Sequence, residues 1–178
     1  MWLSSARIID GWVRAEEAPG DEPIALIARG IDDWKATGAE VGGPYFYGLL
    51  AEACLGAGRV VQGCAALAAA RALRDKNGEH YWESEIDRLE GELHLAASPD
   101  AAAAERCFEQ ALSVAREQGA RSLELRAAMS LARLLAPRGG AARQRGRRLL
   151  AEVYAWFTEG HDTADLVTAR TLLDTLEG

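Results

Sequence analysis

The chain has 178 residues, 35 of them Ala and 22 Leu, and its 20 basic and 27 acidic side chains give a net charge of −7. An apolar share of 49% excludes wholesale disorder, and the acidic balance disfavours generic nucleic-acid binding. No run reaches the roughly 18 uncharged apolar residues of a membrane span, and the abundance of Ala over β-branched residues points to helix rather than sheet.

The first elements follow from apolar spacing. Leu3, Ile8, Ile9, Trp12 and Val13 form one stripe, and Ile24, Ile27, Ile31 and Trp34 form another at helical period. Between them lies Ala18-Pro19-Gly20-Asp21, where Asp21 is a candidate cap and Pro23 suits an opening turn. A second pair is expected over 44–57 and 59–75, with Gly56-Ala57-Gly58 as its turn and Lys76-Asn77-Gly78 as its stop. A third covers 80–97 and 100–118, joined by Ser98-Pro99-Asp100, which supplies capping side chains and a helix-starting proline. A fourth covers 122–136 and 141–157, and a last helix covers 164–176, with Asp162 or Thr163 as its cap.

The pattern therefore predicts an all-α chain, a single helical-repeat domain over 1–178, with pairs at about 3–37, 44–75, 80–118 and 122–157. Successive pairs start near Pro44, Tyr81 and Ser122, 37 and 41 residues apart, a spacing that signals an α-α superhelix, or solenoid. One pair cannot bury both of its faces, so neighbours stack. Small residues mark the close approaches, Gly91 and Ala104 in one pair and Ala51 and Gly63 in another.

Within the third pair, Gly91 precedes Ala104, Phe108 and Ala111, spaced A-x-x-x-F-x-x-A. This resembles a tetratricopeptide repeat, with one extra residue between Gly91 and Ala104. In the second pair Ala51, Gly63, Leu67 and Ala70 fill the same roles, and in the first Gly11, Pro23, Ile27 and Gly30. Ala132, Gly146 and Leu150 give the weakest match. The stretches 34–40, 81–85, 91–93, 122–128 and 156–166 together are similar to the C-terminal tetratricopeptide region of large bacterial signalling proteins. There a nucleotide cyclase or winged-helix domain precedes a P-loop ATPase and a helical tail. The resemblance implies a regulatory or interaction segment, with any cyclase or ATPase activity in domains outside this chain.

No catalytic motif is found, and no cofactor or metal is expected. His80, His94 and His161 lack i, i+4 spacing, and His94 falls at a packing position of the repeat, which suits a core or groove-edge role. Cys54, Cys64 and Cys107 are odd in number and lack C-x-x-C spacing, which reads as small buried thiols in a reducing compartment. The segment 1–7 has no basic-then-apolar leader pattern, so a cytoplasmic address is expected. Gly56–Gly63 lacks the Lys-Ser/Thr ending of a phosphate loop. The paired carboxylates Asp32-Asp33 and Glu16-Glu17 are adjacent and diverge on a helix. Arg138, Arg143, Arg145, Arg147 and Arg148 form a basic cluster, read first as a solvated outer face and second as an anion, RNA or acidic-protein contact, with docking on an acidic surface of a neighbouring domain as a further reading.

The first helix of each pair is expected to line the concave side. If Ala51, Gly91 and Ala132 point into the core, the positions beside them select Tyr45, Glu52, Glu85, Arg88, Glu92, Arg126, Met129 and Arg133 as the groove. Such a mixed face suits a charged peptide or protein segment, or upstream domains of the same polypeptide, rather than an apolar ligand. As an ordinary surface, pairs such as Glu85–Arg88 would be exposed and worth about 0–1 kcal/mol. The leading expectation is a non-catalytic protein-interaction scaffold. The alternatives are a small-molecule effector sensor, with Trp12, Trp34 and Trp82 as core or pocket aromatics, and a free-standing homo-oligomerising adaptor.

Overall fold

In the computed structural model, which describes residues 2–98 and 100–177, every regular element is helical. The nine α-helices are α1 (Trp2–Glu17), α2 (Asp21–Ala36), α3 (Gly43–Gly56), α4 (Val60–Asn77), α5 (Glu83–Ala97), α6 (Ala101–Gln118), α7 (Arg121–Leu135), α8 (Gly140–Tyr154) and α9 (Ala164–Glu177). A single 3₁₀ turn, Ala136–Arg138, ends α7. Two second helices stop on a left-handed glycine. Gly78 has φ 70° and its N–H bonds Arg74 O, and Gly119 has φ 66° and its N–H bonds Arg116 O. A side chain with Cβ is disfavoured in either position, so these glycines set where each pair closes.

Several local expectations shift. Asp21 does not cap α2; it is the first helical residue, Gly20 precedes it, and the Asp21 carboxylate instead accepts from Arg59 Nε at 2.8 Å and Nη2 at 2.7 Å. Asp100 does cap, accepting from the N–H groups of Ala102 and Ala103 at 3.1 and 3.0 Å, while Pro99 lies outside the described residues. The Thr163 hydroxyl donates back to Gly160 O at 2.8 Å rather than accepting from α9. Helix α5 starts at Glu83, leaving Tyr81-Trp82 in the preceding turn, and α8 ends at Tyr154, with Trp156 and Phe157 beyond it.

Helices pack as adjacent pairs, α1 on α2, α3 on α4, α5 on α6 and α7 on α8. Each second helix also meets the first helix of the next pair. The odd-numbered helices touch in an unbroken row, α1–α3–α5–α7–α9, while the even-numbered ones fan apart. This is an α-α superhelical arrangement whose tighter, inner face belongs to the odd-numbered row.

Small residues make the pairing possible. A Cβ on Gly11 would stand 2.7 Å from Ile27 Cγ1, and one on Gly30 2.6 Å from Ile8 Cγ1, so the first pair exchanges an isoleucine in each direction. Gly91 is covered by the fully buried Phe108, whose Cε1 would lie 2.5 Å from an added Cβ. Gly146 sits against the backbone of Ala132, at 3.0 Å from Cα. Gly63 differs from expectation. Its space is taken by Leu93 of the next pair, 2.9 Å away, and by Cys54, so it serves stacking between pairs as much as packing within one. The apolar core forms two clusters, one from Ile8 to Leu93 and one from Ala104 to Leu176. Phe108 laid on Gly91 joins them.

Candidate functional site on the inner helical row

Five helices deliver charged side chains to the inner face. From α3, Glu52 accepts a hydrogen bond from Trp12 Nε1 of α1 at 2.9 Å and from Arg88 Nη2 of α5 at 3.2 Å, and it also pairs with Arg126 of α7. Glu85 accepts from Arg88 Nε at 3.0 Å and Nη2 at 2.6 Å, and Arg126 Nη1 reaches it at 2.8 Å. Glu92 lies 3.6 Å from Arg88 Nη1 and accepts the Ser130 hydroxyl at 2.6 Å. Asp165 of α9 lies 3.9 Å from Arg126 Nε. One connected network thus spans residues 12 to 165.

Burial decides its character. Glu85 is 1% exposed and Arg88 8%, so this pair is not the solvated surface pair that spacing alone suggests. Burial opposes ionisation of Glu85, but Arg88 and Arg126 outweigh it and hold the carboxyl below its usual range. Burial likewise works against the Arg88 charge, and Glu85, Glu52 and Glu92 overcome it, so Arg88 stays protonated. Glu16 of α1 is pushed the other way, up, by burial first and then by the Glu52 charge. Asp165 adds to that rise and Arg126 opposes it, so the first and last inner helices share one electrostatic environment.

The eight expected groove residues divide accordingly. Glu52, Glu85, Arg88, Glu92 and Arg126 come together in the network. Tyr45 is half-buried beside it, edge-on to Trp82 with ring centroids 4.8 Å apart; burial, then Glu52, raises its phenol pKa. Met129 is buried at 4% exposure and belongs to the core; the helix turns it inward beneath Arg126 and Arg133. Arg133 is exposed, one turn further along α7. Trp12, Glu16, Ser130 and Asp165 were not expected. Trp12 follows Gly11 just as Glu52 follows Ala51 and Glu92 follows Gly91, so the same neighbour rule applied to the first pair finds it.

Other candidates resolve differently. His94 is exposed, not a packing residue, because α5 turns it away from Leu93. His80 Nδ1 contacts Glu83 at 2.8 Å, and Tyr154 contacts His161 Nδ1 at 3.3 Å. Among the described residues no three His, Cys, Asp or Glu side chains are grouped to hold a metal ion. Cys54 is buried, with its thiol pushed up to about 11 by desolvation, and Cys107 is raised by burial and by Glu90. Cys64 is exposed and Cys107 half-buried, so of the three expected buried thiols Cys54 alone is one. Trp34 is a core residue at 2% exposure, whereas Trp12 and Trp82 are half-buried.

The arginine cluster is mostly occupied within the chain. Glu105 takes Arg138 at 2.6 Å and Arg145 at 2.8 Å, and Arg145 also pairs with Glu109. Arg143 donates to the Thr175 and Leu176 carbonyls at the end of α9, and Arg147 pairs with Glu177. The acidic surface that these arginines meet is largely that of α6 and α9. Among the described residues no helix is long and apolar enough to cross a membrane.

The inner face thus joins carboxylates and guanidiniums of the odd-numbered helices in one paired set. No protein-family model matches the chain, and neither a curated protein nor a solved structure does.

Proposed function

We propose that the chain is a non-catalytic protein-interaction segment whose inner helical row holds a charged stretch of another polypeptide or of a neighbouring domain. The observation that supports this reading is the network from Trp12 to Asp165. It places five carboxylates, Glu16, Glu52, Glu85, Glu92 and Asp165, around two guanidiniums, Arg88 and Arg126, on the face where five helices converge. Its accessible members, Glu16, Glu92 and Asp165, offer directional partners to a polar segment, while the buried Glu85 and Arg88 hold the face together. Its carboxylate surplus favours a segment carrying basic side chains. On the likeness to tetratricopeptide tails of bacterial signalling proteins, the partner is a regulatory region, either upstream in the same polypeptide or separate from it.

The test uses a photo-crosslinking amino acid at Glu92 on the inner face and, separately, at the exposed Gln62 on α4. Both forms are expressed in the source cell and the crosslinked peptides sequenced. Products from position 92 that recur at one segment, with none shared by position 62, support the reading. Equal products from both positions, or none from position 92, refute it.

A further inference from the structure

We propose that the junction between the first and second helix pairs is a binding site for a small apolar carboxylic acid, with Lys35 and Tyr47 holding the carboxylate. Here a cavity of about 430 Å³ opens between α2, α3, α4 and the α2–α3 turn. Its size falls within the range of small-molecule sites. The wall is apolar, formed by Ala69, Ala72 and Leu73 of α4 with the indole of Trp34 beneath. Gly43 is what lets Leu73 and Trp34 lie there. A Cβ at that position would stand 2.5 Å from Leu73 Cδ1 and 3.2 Å from Trp34 Cη2.

The charged and polar side chains that line it are Lys35, Glu40, Tyr47 and Lys76. The chain carries 18 arginines and only two lysines, and both lysines, Lys35 and Lys76, line this one cavity. They are not in the same state. Lys76 is ion-paired with Glu40, whereas Lys35 Nζ faces a neutral group, the Tyr47 hydroxyl, at 3.3 Å. A lysine ammonium is a compact charge on a flexible stem with three rotatable donors, able to turn toward an incoming anion. The Lys35 ammonium and the Tyr47 O–H are two donors side by side, the arrangement a carboxylate accepts. An apolar body attached to that carboxylate would lie along the Ala69–Leu73 wall.

The rim is held before any ligand arrives. Asn77 Nδ2 donates to Glu40 O at 3.2 Å, and Gly42 N–H donates to Glu79 Oε2 at 2.8 Å, so the turn is pinned to the end of α4. The Thr37 hydroxyl donates to Trp34 O at 2.6 Å and fastens the end of α2. A cavity fixed in this way needs little ordering on binding. None of its lining residues belongs to the inner-row network, so this site and the peptide reading stand or fall separately.

The experiment is calorimetric titration of the full chain with phenylacetate and hexanoate, each beside its neutral amide. It is repeated on Lys35→Gln, Tyr47→Phe and Ala69→Trp, after circular dichroism shows each variant folded. The acids are expected to bind and the amides to bind at least about tenfold more weakly, with a similar loss in Lys35→Gln. Tyr47→Phe should weaken the acids by less, and Ala69→Trp, which fills the cavity, should abolish binding. The proposal is overturned by no heat from either acid up to about 10 mM, by equal affinity for acid and amide, or by binding that survives Lys35→Gln or Ala69→Trp.

Discussion

Arg88 is the position where the inner network is most open to a quantitative test. Replacing it with Met removes three hydrogen-bonding contacts, Nε and Nη2 to Glu85 and Nη2 to Glu52, while leaving an apolar chain of similar length. Glu85, at 1% exposure, would then keep Arg126 Nη1 at 2.8 Å as its only guanidinium. Breaking a buried pair by removing one partner costs about 3–5 kcal/mol, and the surviving Arg126 contact places Arg88→Met near the lower end, about 3 kcal/mol. For a chain of this size that is a fall in Tm of about 6–12 °C. Removing both charges, in Glu85→Leu with Arg88→Met, eliminates the stranded carboxylate and should recover at least about 1 kcal/mol over Arg88→Met alone.

Acidity sharpens the test. In the native chain the Glu85 pKa is held down, so its contribution is present above the unfolded value of about 4.3 and lost as pH falls through the folded value. In Arg88→Met, burial dominates and the pKa rises, so the penalty is greatest near neutrality and shrinks as acid protonates the carboxyl. Urea melts followed by circular dichroism from pH 7 to 4 should therefore show the two curves converging. A loss below about 1 kcal/mol at pH 7, or a double variant no better than the single one, would refute the argument that the network is a buried unit.

Three further outcomes follow from the packing. Phe108→Ala should cost about 3–5 kcal/mol by urea denaturation, since the ring is fully buried on Gly91 where the two core clusters meet. Gly91→Ala should itself cost about 1–3 kcal/mol, because its methyl would meet the immobile Phe108 ring at 2.5 Å; an unchanged midpoint would show that the helices are not in this register. In native conditions iodoacetamide should label the exposed Cys64 readily and Cys54 only after unfolding, as burial lifts the Cys54 pKa to about 11; mass spectrometry finding equal labelling would contradict the placement of Cys54.

How legible the molecule was in its sequence depends on how far apart the cooperating residues lie. The helix pairs rest on local signals, such as the Ile24–Trp34 stripe, the Gly78 stop and the Asp100 cap, and these sit where the period places them. The face carrying Glu52, Glu85, Arg88, Glu92 and Arg126 was also accessible, because spacing from a small core residue fixes direction around a helix. Depth was not. Whether Glu85 is exposed depends on Arg126 and Glu52 closing over it, and Arg126 and Glu52 are 74 residues apart. The same limit explains the arginine cluster. Its partners Glu105, Glu109 and Glu177 lie at least 30 residues away, so local charge spacing reads as a free basic patch.

The buried charges on the inner row raise the question of what they are for. An apolar substitute of equal volume is commonly as stable as a buried ion pair or more so, so stability alone does not account for Glu85 and Arg88. What such charges can supply is selectivity of two kinds. Each guanidinium of the network has carboxylates on more than one helix within reach, Arg126 touching α3, α5 and α9, so sliding one pair against the next would strand a charge. Such a penalty favours a single register of the stack. The inner face is also kept polar where five helices converge, which prevents a concave surface from becoming an apolar cleft that binds indiscriminately. On the proposed function, a partner that settles there would match the remaining charge, which is set by Glu16, Asp165 and Arg133 at the margins. On that proposal, register within the chain and discrimination among partners come from the same set of side chains.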